Sequence, residues 1–130
     1  MASHKDLYVW QESMNLVVQI YRTTGGFPVE ERKGLTDQMR RAAVSISSNI
    51  AEGYGRQSDK DLSRFLRIAL GSAYELDTQI EIAKHLSFIG EATSSDLGMR
   101  LDSIQKMLSS LIYRRENGLD SFERKTPPTS

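Results

Sequence analysis

Apolar residues recur three and four positions apart along most of the chain, and this spacing places their side chains on one face of an α-helix. The first stripe predicts a helix from Leu7 to Tyr21 and consists of Leu7, Trp10, Met14, Val17, Val18 and Tyr21. Two glycines and Pro28 interrupt the period over residues 23–28, because proline cannot continue a preceding helix. We expect a loop there, with a short helical turn at Pro28–Glu31.

The second and third stripes flank a glycine-containing turn. The second comprises Leu35, Met39, Ala42, Ile46 and Ile50, and the third comprises Leu62, Phe65, Leu66, Ala69, Ala73, Leu76, Ile80 and Ala83. Between them, Gly53-Tyr54-Gly55 predicts a helix end at which a glycine takes a positive φ. Ser58, followed three residues later by Asp61, predicts the N-cap of the third helix.

The fourth stripe begins after Ile89 and Gly90. Ser94 or Ser95 is its predicted N-cap, and the helix is expected to end near Asn117 and Gly118. The residues expected to face inward are Leu97, Leu101, Ile104, Leu108, Leu111 and Ile112.

The four stripes together predict the fold class. Amphipathic helices joined by short loops, without an alternating strand-like segment, favour an all-α, antiparallel up-and-down four-helix bundle in which each helix buries one stripe. We assign residues 1–118 to this single domain. Residues 119–130 are polar and include two adjacent prolines, which predicts a disordered C-terminal tail.

Composition limits the classes of function. The 130 residues, 38% of them hydrophobic, suffice for one modest core, and 17 Lys and Arg balance 17 Asp and Glu, so no overall field attracts nucleic acid. The absence of cysteine excludes disulfides, thiolate nucleophiles and soft metal sites. Neither a signal peptide nor an apolar run of about 20 residues is evident. We therefore expect a cytoplasmic protein without a membrane partner.

The second helix carries a polar stripe beside its apolar one. Its members are Gln38, Arg41, Ser45, Ser48 or Asn49, and Glu52, and the small residues around them allow another backbone to approach closely. One interpretation is a hydrogen-bonded subunit interface or ligand groove, since such groups need partners when buried. The other interpretation is a solvated face beside the core.

A group of cations surrounds the turn between the second and third helices. Arg56, Lys60, Arg64 and Arg67 are predicted to form one compact basic end whose charge suits phosphate groups. Arg40 and Arg41 lie three to four turns earlier and do not belong to it. The alternative is ordinary surface charge, because Asp59 and Asp61 lie within the same segment.

Catalytic and cofactor chemistry find little support in the sequence. Glu81 and His85 share a helix face, but di-metal bundles need further Glu and His ligands, and the only other histidine is His4. We predict no catalytic residues, no metal and no cofactor. The aromatic residues Trp10, Tyr21 and Phe65 are interpreted as core, with a cofactor pocket as the alternative; exposed copies would instead indicate an interface.

Ordered motifs along the chain resemble the four-helix bundle family first noticed in intervening sequences inserted in bacterial large-subunit (23S) ribosomal RNA genes. The resemblance runs from about Leu7 to Tyr113. The motifs that carry it are Leu7-x-Val9-Trp10, Tyr21, Phe27-Pro28, Gly34-Leu35-x-x-Gln38, Arg40-Arg41-Ala42-Ala43-x-Ser45-Ile46, Asn49-Ile50-Ala51-Glu52-Gly53, Phe65-Leu66-x-Ile68-Ala69-x-Gly71-Ser72 and Glu75-Leu76.

The resemblance implies a small cytoplasmic bacterial protein, of a kind sometimes labelled ribosomal because of gene location. The family is also similar to the accessory variability determinant of diversity-generating retroelements, a homopentameric helical barrel that works with a reverse transcriptase and nucleic acid. A cyclic homo-oligomer, with a pentamer favoured, is thus the expected assembly, and Gln38, Arg41, Ser45, Asn49 and Glu52 are its expected contact residues. Those accessory proteins are strongly basic, whereas this chain is formally neutral.

Two main functional hypotheses follow. The first is a non-enzymatic oligomeric bundle that binds RNA, another nucleic acid or a nucleic-acid-handling protein through its basic end. The second is a protein-interaction scaffold with no nucleic-acid role. A metal or small-molecule site inside the bundle is the third and least supported.

Overall fold

Each apolar stripe forms a helix in the computed structural model, which describes residues 3–119. Within this range the structure has four α-helices: α1 (Tyr8–Thr24), α2 (Leu35–Tyr54), α3 (Asp59–His85) and α4 (Glu91–Glu116). Short 3-10 turns at His4–Asp6 and Val29–Glu31 complete it, and the second confirms the helical turn expected after Pro28. The all-helical class is confirmed. Of the disordered tail predicted over residues 119–130, residues 120–130 lie outside the described range.

The helices enclose one hydrophobic core. α1 packs against α2 and α4, and α3 also packs against α2 and α4, so the apolar stripes meet in the middle of a four-helix bundle. The stripes predicted for the last three helices are buried, except that Phe65 and Leu111 are only half-buried. Among described residues, the largest side chains that are fully enclosed are Leu16, Ile20, Met39, Ile46, Ile50, Leu66, Leu76, Ile80, Leu97, Leu101, Ile104 and Leu108.

The stripe predicted for the first helix is wrong by a rotation. Of the predicted residues, Leu7 is buried just before α1, Trp10 and Val17 are half-buried, and Met14, Val18 and Tyr21 are exposed. The buried residues within α1 are Val9, Ser13, Leu16, Ile20 and Thr24. α1 has apolar residues on two neighbouring flanks, and the core takes the flank that includes two hydroxyls. Both hydroxyls donate to carbonyl oxygens of their own helix, Ser13 to Trp10 at 2.8 Å and Thr24 to Ile20 at 2.7 Å, which removes the cost of burying them.

The predicted N-cap of α3 is confirmed, whereas the predicted N-cap of α4 is not. Ser58 is the N-cap of α3, and its side-chain oxygen accepts a hydrogen bond of 3.1 Å from the Asp61 backbone N–H, as predicted. The predicted cap of α4 is wrong, because the helix begins at Glu91 directly after Gly90. Ser94 is therefore a buried residue inside the first turn of α4 and does not cap its start.

Positive φ angles occur at the ends of α3 and α4 and not at the end of α2. Gly118 has φ 65°, and Leu119 N–H donates to Arg114 C=O, which closes α4 near the predicted position. Ser87 takes the same role after α3 with φ 63°, although serine pays a steric cost there that glycine does not. Gly55, in contrast, has φ −84°, so the positive φ predicted for the Gly53-Tyr54-Gly55 turn is wrong.

Gly53 is required by space and not by backbone conformation. It lies inside the last turn of α2 and is buried, and a Cβ atom there would lie 3.0 Å from Leu62 Cδ1 and 3.0 Å from Phe65 Cβ of α3. Such distances are shorter than normal carbon–carbon contacts. The missing side chain thus lets the end of α2 approach the start of α3.

None of the helices among residues 3–119 combines the length and the apolar character that crossing a bilayer requires.

Replacing Gly53 with alanine tests this close approach. We expect Gly53→Ala to lower the free energy of unfolding by about 1–2 kcal/mol, because overpacking outweighs the gain in helix propensity. Gly71→Ala is the matched control, since Gly71 lies in α3 and its Cβ would meet nothing within 4 Å; it should stabilise by about 0.5–1 kcal/mol. Urea denaturation measures both. Equal stabilisation by the two substitutions would contradict the packing role of Gly53.

Candidate functional site

The polar stripe of α2 turns in part toward α3. Ser45 Oγ lies 2.7 Å from Ser72 Oγ of α3, and Asn49 Nδ2 donates to the Ser45 carbonyl oxygen at 2.8 Å and to Ser45 Oγ at 3.0 Å. Both residues are half-buried. The Ser45–Ser72 hydrogen bond joins α2 to α3, while those of Asn49 lie within α2.

The charged members of the same stripe remain at the surface. Arg41 Nε donates to Asp37 Oδ2 at 2.8 Å, and Glu52 accepts from Arg56 Nη2 at 2.6 Å; both pairs lie within or just beyond α2. Gln38 is exposed. Exposed pairs of this kind contribute at most about 1 kcal/mol. The structure thus brings Ser45 and Asn49 together but does not bring them together with Arg41 and Glu52.

Two cations of the predicted basic end share one aromatic ring. The guanidinium carbon of Arg56 lies 4.9 Å from the centroid of the Phe65 ring, and that of Arg64 lies 4.5 Å from it. The ring reaches this position because Phe65 is in the second turn of α3, opposite Gly53. Phe65, interpreted from the sequence as core, is half-buried under these two side chains and contributes a cation–π surface.

Arg67 belongs to a different group of side chains. Its Nε and Nη2 donate to the two carboxylate oxygens of Glu116 at 2.8 and 2.6 Å, and Ser63 Oγ donates to Glu116 Oε2 at 2.6 Å. The Arg67 guanidinium and the Ser63 hydroxyl hold the pKa of Glu116 down to about 2. Hydrogen bonding to Glu116 also raises the pKa of Arg67. This bidentate pair joins α3 to the last turn of α4.

A buried arginine beside this pair was missed by sequence reasoning. Arg115 is 8% exposed, and its Nη1 donates to Asp59 Oδ1 at the start of α3 at 3.2 Å. Burial raises the pKa of the Tyr54 hydroxyl above its usual range, while the neighbouring Arg115 charge opposes that shift. Arg115 follows Ile112 by three residues, so its position on the apolar stripe was the available signal.

An open cleft of about 690 Å³ lies between the start of α3 and the end of α4. Its charges are mixed, because both ion-paired groups described above line it together with Lys60 and Arg64. The residues lining this cleft are Asp59, Lys60, Asp61, Ser63, Arg64, Arg67, Ile68, Arg115 and Glu116.

One flank of α1 presents apolar side chains to solvent. Met14, Val18 and Tyr21 are 38%, 44% and 45% exposed, so the interpretation of Tyr21 as core is wrong. Arg40 of α2 covers part of the Tyr21 ring, with its guanidinium carbon 4.4 Å from the centroid, and donates to Thr24 Oγ1 at 2.9 Å. Trp10 is half-buried against the core. We call Met14, Val18 and Tyr21 the α1 flank.

His85, considered above as a metal ligand together with Glu81, is the last residue of α3. His85 Nδ1 lies 2.8 Å from the carbonyl oxygen of Glu81, in the last turn of α3. Among residues 3–119, no three His, Cys, Asp or Glu side chains lie close enough together to hold a metal ion.

The low pKa of Glu116 predicts a pH dependence of stability. Its pKa is about 2 in the folded chain against an ordinary value of 4.5, so the ionised carboxylate stabilises the fold above pH 4.5 and this contribution disappears as the pH falls toward 2. Urea denaturation at several pH values should therefore show a larger loss of stability on acidification for wild type than for Glu116→Gln. Glu30→Gln removes an exposed carboxylate with no hydrogen bond or ion pair among the described residues and is the control. Parallel pH profiles for wild type and Glu116→Gln would contradict the assignment.

Comparisons with known proteins show the family of this chain. The family model of the 23S rRNA-intervening sequence protein matches residues 5–110. A search of functionally curated proteins gives no match. The crystal structure of a protein of unknown function from the S23 ribosomal protein family of Bacteroides thetaiotaomicron is similar, with a TM-score of 0.71 and 28% sequence identity; the alignment covers 80% of this chain and 97% of that one. The chain therefore belongs to the 23S rRNA-intervening sequence protein family.

Proposed function

We propose that this chain is a non-enzymatic, cytoplasmic helical protein that assembles with copies of itself and binds RNA, or a protein that handles nucleic acid, through its basic end. The observation that supports RNA binding is that two cationic side chains of the basic end are exposed and make no hydrogen bonds within residues 3–119. Arg64 and Lys60 are exposed, and neither makes a hydrogen bond to residues 3–119 through its side chain. The carboxylate nearest to Arg64, that of Asp61, is 3.8 Å away. Their donors are therefore available to phosphate oxygens.

We also propose an antiparallel up-and-down order for the helices. Three contacts between ends support it: Arg40 near the start of α2 reaches the Tyr21 carbonyl at the end of α1, Arg67 near the start of α3 reaches Glu116 at the end of α4, and Lys84 at the end of α3 reaches Glu91 at the start of α4. This order leaves the basic end beside the α2–α3 turn.

Self-association is supported by the α1 flank. Exposed apolar side chains in a continuous row mark interaction surfaces more often than scattered ones do. Met14, Val18 and Tyr21 are spaced by four and three residues, so they share one side of α1. A ring, with a pentamer favoured, repeats the basic end around its axis and raises avidity for a long RNA without any new contact.

Light scattering of the purified full chain tests self-association. We expect a homo-oligomer at micromolar concentration, and we expect Val18→Glu to shift it toward monomer because a buried unpaired carboxylate opposes association. Val29→Glu is the matched control, since Val29 is also exposed but lies on the 3-10 turn before α2. A wild-type monomer, or equal effects of the two substitutions, would contradict the proposed interface.

RNA binding should depend on salt. If Lys60 neutralises one phosphate and Arg56 and Arg64 together neutralise a second, the affinity for a 20-nucleotide single-stranded RNA should fall by roughly sevenfold between 50 and 200 mM salt. Fluorescence anisotropy measures this change. Absent or salt-independent binding would remove the RNA proposal.

The α1 flank also supports the alternative function, a protein-interaction scaffold with no nucleic-acid role. Its distinguishing result is a partner captured from a bacterial lysate that stays bound after nuclease treatment, by a chain that does not bind the RNA probe. Failure of the RNA test together with nuclease-resistant capture would favour this scaffold.

A further inference from the structure

We propose that Arg56 and Arg64, held on the two sides of the turn between α2 and α3 by the shared Phe65 ring, form a clip for one phosphate group of an RNA chain. The inference rests on the proposed RNA function and makes it specific. It separates these two arginines from Arg67, with which the sequence pattern had grouped them.

The shared ring limits the distance between the two cations. The guanidinium carbons lie 4.9 and 4.5 Å from the same centroid, so their separation cannot exceed the sum of these two distances. A phosphate that accepts charge-assisted hydrogen bonds of about 2.8 Å from both sides spans a gap of similar size. One anion between the two guanidiniums also converts their mutual repulsion into two attractions.

The donors that a phosphate needs are available. A guanidinium that covers an aromatic ring uses its face, while its N–H groups point outward along its edges. The side chain of Arg64 makes no hydrogen bond within residues 3–119 and is 60% exposed. Arg56 donates from Nη2 to Glu52 at 2.6 Å, which anchors the side chain and leaves its other N–H groups for a ligand.

The remaining cations have other roles. Lys60 lies one turn before Arg64 on α3 and adds a flexible point charge beside the clip. Arg67 donates from Nε and Nη2 to the two carboxylate oxygens of Glu116, so it is a structural group between α3 and α4. Two carboxylates, Glu52 and Asp61, face the clip and limit its affinity for a single free phosphate. Repetition of the site around the proposed ring compensates for this weakness when one RNA chain contacts several subunits.

The test compares five variants of the full chain, Arg67→Gln among them, by anisotropy with a fluorescein-labelled 20-nucleotide mixed-sequence RNA at 50 mM salt. Arg56→Gln and Arg64→Gln should each weaken binding about five- to tenfold and reduce the salt slope by at most about 0.7, the value for one phosphate of a single strand. Phe65→Leu keeps both charges but removes the shared ring, so it should weaken binding with an unchanged salt slope. Arg100→Gln is the control, because Arg100 is paired with Asp96 four residues away, as Arg56 is with Glu52.

A second probe separates failure of the clip from failure of the RNA proposal. Inorganic phosphate, added to ¹⁵N-labelled protein, should shift the Nε–Hε signals of Arg56 and Arg64 more than that of Arg100. The same shifts without RNA binding would support a phosphate site between Arg56 and Arg64 but would contradict the RNA proposal. RNA binding that Arg67→Gln weakens as much as Arg64→Gln, or that neither Arg56→Gln nor Arg64→Gln weakens, would overturn the clip. An absence of both signals would overturn both proposals.

Discussion

The close approach of α2 and α3 at Gly53 determines where the side chains of the basic end lie. With hydrogen in place of a side chain, the last turn of α2 comes within contact of Leu62 and Phe65, and a Cβ would stand 3.0 Å from each. The chain then turns in four residues and begins α3 at the Ser58 cap. Because the turn is short, a residue just after α2 and a residue in the second turn of α3 reach the same ring. The Arg56–Phe65–Arg64 cluster is thus a consequence of helix packing.

The end of α4 lies on the other side of the basic end, and its side chains form ion pairs with residues near the start of α3. The end of α4 offers Glu116 to Arg67 and receives Asp59 at Arg115, so two ion pairs tie the start of α3 to it. Arg115 is buried, and a buried guanidinium needs its partner, since removing one member leaves an uncompensated charge. Arg67 is more exposed, but both of its hydrogen bonds are short and bidentate. Cations with fixed carboxylate partners shape the bundle, while Arg64 and Lys60 keep their donors toward solvent.

Periodicity predicted the helices well where a helix has one apolar flank. The stripes of α2, α3 and α4, the Ser58 cap and the end of α4 near Gly118 were all predicted, because burial and local hydrogen bonding agree there. α1 failed because hydrophobicity alone does not show that Ser13 and Thr24 can bury their hydroxyls against their own carbonyls. Gly53 and Arg115 depend on a neighbouring helix, so spacing within one helix could not assign their roles. The sequence grouped Arg67 with the other three cations because the carboxylate that holds it, Glu116, lies 49 residues away in the chain.

The exposed apolar flank of α1 also changes which surface is the better candidate for the proposed self-association. A polar interface on α2 would require Ser45 and Asn49 to seek partners in another subunit, but these groups already bond to each other and to Ser72. Satisfied polar groups gain little from a second copy, because each new hydrogen bond replaces an existing one or one with water. The α1 flank is different, since covering exposed Met14, Val18 and Tyr21 removes apolar surface from water at about 25 cal/mol per Å². For the proposed self-association we therefore expect the driving force on the α1 flank and not on the polar stripe of α2.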